Sequence, residues 1–279
     1  MSGLRTHYDN EKPPRSSMMS VLVPGLLATS VLIVTGFKQF TAFQKGEMRD
    51  MQAMLFGVLG LVLSVVVVII GLAENGGRPT TGLMGTLLGA LLMLVVMATS
   101  LKQPVNILLI GVAPVTGLFT AIAATFNTPS DLALIDSKTL FHVITSIVAY
   151  GAVAFAGTLS ILVTWHHQKL KERPMTPLLA TLPPLDAMEV LFLRAVQTAW
   201  LTLTVALISG IVYVDNFWAQ NLAHKTALSG LAWLGMSLAL WQHFQDGGVT
   251  RIMRKTAVIA AGLLCVGYLG SKAILEFLL

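Results

Sequence analysis

Charged residues are scarce in this chain: they make up 11% of its 279 residues, whereas hydrophobic residues make up 55%. This balance lies outside the range of water-soluble globular domains. Cysteine is nearly absent too, and the single Cys265 excludes a disulfide framework and a cysteine-based metal or redox motif. The chain also lacks the G-x-S-x-G, P-loop and H-E-x-x-H motifs and has no paired carboxylates within its apolar runs, so the sequence predicts no enzyme activity.

Long apolar runs fill most of the chain instead. Each is near the ~20 residues that cross ~30 Å of hydrocarbon as a helix. A segment in lipid must satisfy its backbone hydrogen bonds internally, which favours helices over open sheets, and the runs are too long for the strands of a barrel. The sequence therefore predicts an all-α, polytopic integral membrane helix bundle of about eight transmembrane helices. A polar N-terminal tail over 1–18 precedes a single transmembrane domain over 19–279, with spans near 19–37, 54–73, 82–101, 105–126, 140–165, 190–214, 226–243 and 256–278.

The positive residues between the spans predict how the bundle sits. One side collects eleven Lys and Arg residues and the other seven, three of which lie in the polar tail. The positive-inside rule places the larger group in the cytoplasm and both termini outside. The net charge of +5 is explained by this topology, and no nucleic-acid partner is predicted. The eleven are Lys38, Lys45, Arg49, Lys102, Lys169, Lys171, Arg173, Arg194, Arg251, Arg254 and Lys255.

Two histidines open spans at the predicted outer side. His142 begins HVITSIVAY and His224 begins HKTALSGLAW, so that a Ser and then an Ala followed by an aromatic residue come after each histidine. His142, Ser146 and Tyr150 fall on one helical stripe that could face a neighbouring helix or a ligand. Two imidazoles at matching depth could be axial ligands of a haem iron. Alternatively, each histidine caps its helix and binds water or a carbonyl at the membrane interface.

Two lysines are predicted on the same outer side as these histidines. Lys225 and Lys272 could pair with the two propionates of a haem, because ammonium groups form charge-assisted hydrogen bonds with carboxylates. Alternatively, either lysine extends to the membrane surface as an ordinary interfacial residue.

Four segments, together with one that precedes them, resemble the cytochrome c assembly protein family in its short, YpjD- and HemX-like inner-membrane group. The resemblance covers roughly residues 100–279. The segments are LKQPVNILLIGVAPVTGL at 101–118, FHVITSIVAY at 141–150, LPPLDAME at 182–189, AHKTALSGLAW at 223–233 and GSKAILE at 270–276.

The resemblance implies an eight-helix bundle in the bacterial inner membrane that handles haem together with cytochrome c maturation components. Larger relatives hold haem with outer-face histidines beside a tryptophan-rich segment, and His142 and His224 are the positions here that answer to those histidines. The W-G-x-x-W-x-W-D pattern is absent, and DNFWAQNLAH at 215–224 does not replace it. The resemblance therefore implies haem binding or an accessory assembly role rather than a haem lyase.

Two functional hypotheses follow. The first is a haem-handling or cytochrome c assembly membrane protein, with His142 and His224 as iron ligands and Lys225 and Lys272 as propionate partners. The second is a membrane scaffold, or an accessory subunit of a transport or assembly complex, whose histidines only cap their helices. A pigment in the purified protein favours the first, and a stoichiometric membrane partner without pigment favours the second.

Reporter fusions test the predicted orientation. Alkaline phosphatase, which is active only outside the cytoplasm, is expected to be active when it is fused after Asn221 and inactive when it is fused after Arg173. The reverse pattern of activity would overturn the orientation.

Overall fold

A computed structural model describes residues 15–47, 50–77, 80–126, 137–171, 182–213 and 223–270. Within these ranges the chain is helical and contains no strand, which confirms the predicted all-α fold. A 3₁₀ turn at Asn106–Leu108 precedes the fourth α-helix, and a π-helical turn at Val266–Gly270 follows the last. The α-helices are α1 (Arg15–Gln44), α2 (Met51–Glu74), α3 (Thr81–Ser100), α4 (Leu109–Thr125), α5 (Ser137–Lys171), α6 (Leu185–Tyr213), α7 (Ala223–Asp246) and α8 (Arg251–Cys265).

Each predicted span overlaps one of these helices. The first six, α1 to α6, are long and apolar enough to cross a membrane within the described residues. The chain is thus a polytopic membrane protein, while the count of eight spans and the outside placement of both termini stay predictions. Residues 1–14 and 271–279, which hold most of the predicted tail and the end of the last predicted span, lie outside the described part.

The helix ends follow from local sequence. Pro183 and Pro184 disfavour helix, and α6 begins directly after them at Leu185. Asp50 caps α2 by accepting a hydrogen bond from the backbone N–H of Gln52 at 2.8 Å. Thr250 caps α8 in the same way. The turn between α7 and α8 uses a glycine with positive φ, at position 247. These signals explain why predicted and observed boundaries differ by only a few residues there.

The outward faces of the helices are apolar. Phe37 of α1 is 66% exposed, Ile211 of α6 is 73% exposed and Phe244 of α7 is 73% exposed. A monomer in water rarely exposes so much apolar surface, whereas the hydrocarbon of a membrane solvates such a surface well. The exposed surface therefore supports the membrane assignment independently of helix length.

The bundle has two halves of four helices each. In the first half, α1 packs against α2 and α4, and α3 packs against α2 and α4. In the second half, α5 packs against α6 and α8, and α7 packs against α6 and α8. Contacts between α3 and α5 join the halves, and buried side chains from both form one hydrophobic core. The second half carries both candidate histidines.

Close packing of α3 on α4 depends on small residues. Gly82, Gly85 and Gly89 lie one turn apart along α3 and face α4. A Cβ atom at Gly82 would overlap the backbone of Ala123, and one at Gly85 would overlap the ring of Phe119. Lipid offers helices little hydrophobic drive to associate, so van der Waals contact at this distance is a main source of their affinity.

Replacing Gly82 by Ala is expected to destabilise the bundle, because the new methyl group must displace the α4 backbone. Overpacking of this kind costs about 1–3 kcal/mol. The measurement is the temperature at which the detergent-purified protein loses its monodisperse elution profile. Gly111→Ala on α4 is the matched control, since no atom of the described residues lies within 4 Å of the Cβ position there. Equal melting temperatures for the two variants would contradict the packing argument.

Candidate functional site

One end of the second half brings together the start of α5, the end of α6, the start of α7 and the π-helical turn after α8. The ring of Phe141 on α5 meets the ring of Tyr213 on α6 edge-on at 5.8 Å between centroids. Tyr150, also on α5, meets Tyr268 of the π-helical turn at 5.6 Å. Lys225 at the start of α7 places Nζ 5.8 Å from the centre of the Tyr268 ring. We call this region, residues 141–150, 206–213, 223–229 and 266–268, the histidine end.

The imidazole of His142 is fixed against α6. Its Nδ1 lies 3.0 Å from the hydroxyl oxygen of Ser209. The neighbouring Gly210 lets the ring approach the α6 backbone, because a Cβ atom there would lie 3.0 Å from His142 Cε1. The ring is half-buried and held in one orientation by these contacts.

Several hydroxyl and carbonyl groups surround the His142 imidazole. Thr145 Oγ1 lies 2.9 Å from the carbonyl oxygen of His142 and donates to it. Ser209 Oγ lies 2.8 Å from the carbonyl oxygen of Ala206 and 3.1 Å from Thr145 Oγ1. When the Ser209 proton goes to the Ala206 carbonyl oxygen, Ser209 accepts from an Nδ1–H of His142, and in that tautomer Nε2 keeps its lone pair. The contact from Nε2 to Ser146 Oγ is 3.5 Å, which is long for a hydrogen bond.

The predicted stripe on α5 faces neighbouring helices. Ser146 lies beside His142, one turn further along α5. The ring of Tyr150 contacts Tyr268, and its hydroxyl group makes a polar contact with Ser229 of α7. The stripe thus links α5 to α6, α7 and the π-helical turn at the histidine end.

The other three predicted site residues are described to different extents. Lys225 lies at the histidine end, where its ammonium group faces the Tyr268 ring in a cation–π contact. The backbone of His224 lies in the first turn of α7, at the same end, but its side chain is outside the described part. Lys272 also lies outside the described residues. The structure thus brings Lys225 to the same end of the bundle as His142, and it leaves the pairing of the two histidines a prediction.

The α6 partners of His142 were not predicted from the sequence. The predicted site residues are ionisable, whereas Ser209 and Gly210 are small neutral residues in the run LISGIVY. A signal for them was present, because a small pair near the end of an otherwise bulky span marks a place where another helix or a ring can approach closely.

Two tryptophans fix the register of α6 against α7. The rings of Trp200 and Trp233 are stacked, with centroids 6.3 Å apart and an interplanar angle of 19°. Trp200 Nε1 donates to Ser237 Oγ at 2.7 Å, and Trp233 Nε1 donates to Thr204 Oγ1 at 2.7 Å. Reciprocal hydrogen bonds of this kind fix both the distance and the relative height of the two helices, since sliding would break both bonds in hydrocarbon.

Comparison with known proteins identifies relatives over nearly the whole chain. A family model described as "Cytochrome C assembly protein" matches residues 23–279. The inner membrane protein YpjD of Escherichia coli K12 is 25% identical over 260 residues, which cover 91% of this chain and 97% of that protein. An uncharacterised 28.8 kDa protein of Azospirillum brasilense is 26% identical over 140 residues, which cover 50% of this chain and 52% of that protein. No solved structure matches the chain significantly.

The Nδ1–H tautomer of His142 is expected to predominate in the wild type, because Ser209 can accept from it, and replacing Ser209 by Ala is expected to remove that preference. Without the hydroxyl acceptor the Nδ1–H loses its partner, at a cost of about 1 kcal/mol, and the Nε2–H form becomes populated. Nitrogen NMR of the protein labelled at histidine distinguishes the two tautomers, with His142→Ala used to assign the signal. Ser237→Ala removes a hydroxyl group at the Trp200 indole instead and should leave the His142 signal unchanged. A wild-type signal that already shows both tautomers would contradict the proton assignment.

Proposed function

Because the chain belongs to the cytochrome c assembly protein family, we propose that it is a non-catalytic haem-handling protein of a bacterial inner membrane that binds haem at the histidine end through His142 and His224. The family match supports haem as the ligand, since it extends over both halves of the bundle. The name of the Escherichia coli relative supports the inner membrane as the location. Cytochrome c maturation components are the proposed partners.

The state of His142 supports its role as an iron ligand. A haem iron takes a neutral imidazole through the nitrogen that bears the lone pair, and the other ring N–H is usually held by a hydrogen bond. In the tautomer whose Nδ1–H donates to Ser209 over 3.0 Å, His142 meets both conditions, and Nε2 then carries the lone pair. A ring held in this way loses little freedom when it binds a ligand.

The register of α6 and α7 is the observation that carries the proposal. Ser209, the partner of His142, follows Trp200 by nine residues, and His224 precedes Trp233 by nine residues. The two helices run in opposite directions, and the stacked Trp pair fixes their relative height. At 1.5 Å per residue, each position lies about 13.5 Å along its own helix from its own tryptophan. Because the two ring centroids are 6.3 Å apart, the backbone of His224 is expected within about one helical turn of the depth of Ser209, at the end of the bundle that holds His142.

The two lysines would hold the haem propionates. Lys225 has an ammonium group whose described contact is the face of the Tyr268 ring, so it could turn towards a carboxylate and keep its position at the histidine end. Lys272 lies two residues after the π-helical turn, on the same predicted side. We propose both as propionate partners.

A second function is favoured by the same contacts around His142. A histidine that forms a hydrogen bond with Ser209 and packs on Gly210 can equally be a structural residue between two helices. On this view the protein is a scaffold or an accessory subunit of a transport or assembly complex, without haem. The apolar outward faces of the helices would then bind a membrane partner as well as lipid.

The absorption spectrum of protein purified from haem-replete cells tests the proposal. The wild type is expected to show a Soret band, which is lost in the double variant His142→Ala/His224→Ala. Ser209→Ala is expected to weaken haem binding by about 10- to 100-fold, because partners of that kind orient the ligand.

His243→Ala is the matched control for the histidine variants. His243 lies at the opposite end of α7, where Nδ1 binds the carbonyl oxygen of Gly248 at 2.9 Å. This variant should keep the full Soret band. Absence of the band in the wild type, or a band that survives loss of both His142 and His224, would overturn the proposal, and a stoichiometric colourless complex would favour the scaffold.

A further inference from the structure

A groove lies between α5 and α8 at the end of the bundle opposite the histidine end. Its volume is about 480 Å³, and it is open to the outside of the bundle. Trp165 and Gln168 on α5 face Arg254 and Lys255 on α8 across it. We call this feature, lined by residues 160–168 of α5 and 254–259 of α8, the basic groove.

The basic groove is cationic at its rim and apolar one turn deeper. Val258 follows Arg254 by four residues and Ile259 follows Lys255 by four, so each apolar side chain lies one helical turn beyond a cation. Ile161 of α5 completes the apolar part, and its side chain is 60% exposed in the absence of lipid. This polarity matches an amphiphile that has an anionic head and an apolar chain.

Arg254 is a buried cation whose hydrogen-bonding groups are only partly paired within the described chain. It is only 7% exposed. Its guanidinium NH1 lies 3.4 Å from the carbonyl oxygen of Val249 and 3.7 Å from a carboxylate oxygen of Glu189. Its Nε is buried and has no hydrogen-bond acceptor among the described residues. The Arg254 guanidinium thus has few acceptors among the described residues, and because Arg254 also lines the basic groove, an anion there would gain charge-assisted hydrogen bonds from it.

The local charges favour an anion over a zwitterion. Glu189 offsets one of the two cations, Arg254 and Lys255, and no acidic residue of the described chain is paired with Lys255. Arg251 lies one turn before Lys255 on α8 and adds a further positive charge near the rim. The lining contains no Asp or Glu that could pair with the ammonium group of a zwitterionic headgroup.

We propose that the basic groove binds one anionic phospholipid. Its phosphate accepts hydrogen bonds from the Arg254 guanidinium group and from the Lys255 ammonium group, and an acyl chain lies along Ile161, Val258 and Ile259. The site is formed by residues remote from His142 and does not depend on haem.

Trp165 provides the measurement, because its ring lines the basic groove. The full-length protein is reconstituted in phosphatidylcholine vesicles that contain a minor fraction of brominated phosphatidylglycerol, or the same fraction of brominated phosphatidylcholine. Bromine quenches tryptophan fluorescence on contact, and the signal lost in Trp165→Phe identifies the part that comes from Trp165. We expect the brominated anionic lipid to quench Trp165 more strongly than the zwitterionic one, with a difference that shrinks as salt is raised. Equal quenching by both lipids would overturn the proposal.

Charge variants separate the groove from general attraction to an anionic surface. Lys255→Gln changes an exposed residue and is expected to lower the preference of Trp165 for the anionic lipid about fivefold. Lys102→Gln is the matched control, since it removes an exposed lysine from the same predicted side outside the groove and should keep the preference. Arg254→Lys keeps the charge but removes Nε, and it should also lower the preference if the variant remains monodisperse. If Lys255→Gln and Lys102→Gln lower the preference equally, the groove is not a specific site.

Discussion

Hydrocarbon offers no hydrogen bonds, and the rest of this structure depends on that constraint. Helix formation satisfies the hydrogen-bonding groups of the backbone. Hydroxyl side chains within the spans donate to carbonyl oxygens of their own helix: Thr35 donates to that of Val31 at 2.8 Å, and Ser64 donates to that of Gly60 at 2.8 Å. Polar contacts between helices are therefore few among the described residues, and each fixes a specific pair. The Trp200 and Trp233 indoles fix α6 on α7, and His142 fixes α5 on α6. The candidate site is built on one of these pairs.

The sequence predicts the helices well because their determinants are local. Apolar length sets the spans, and Pro183 and Pro184 set the start of α6. The stripe that contains His142 and Ser146 is also a local property, since spacing along one helix determines it. The Ser209 contact is different, because two residues 67 positions apart meet only after α6 has packed on α5. Periodicity predicts which face of α5 is polar and does not predict which helix that face meets.

The difference between local patterns and contacts of distant residues also explains how much of the candidate site the sequence could predict. The sequence identified His142 because an imidazole within an apolar run is rare, and the structure adds the Ser209 hydroxyl group 3.0 Å from Nδ1, which the sequence could not predict. The cation–π contact of Lys225 with Tyr268 was not predicted, because Tyr268 lies in a π-helical turn that a regular helix pattern does not reveal. The equal spacing of Ser209 and His224 from the Trp pair becomes meaningful only once that pair is known to stack.

Helix α5 connects the two proposed sites and keeps them apart. His142 and Trp165 are separated by 23 positions on this one helix, which is about 35 Å at 1.5 Å per residue and more than the hydrocarbon thickness of a bilayer. The two ends therefore face different leaflets. Arg254 and Lys255 belong to the larger group of cations on which the predicted orientation rests, so the residues that predict a cytoplasmic position for this end are the ones that would bind an anionic headgroup there. At the histidine end, as far as the described residues extend, Lys225 is the cation present, and binding of an anionic ligand there would depend on the placement of individual lysines rather than on a general positive field.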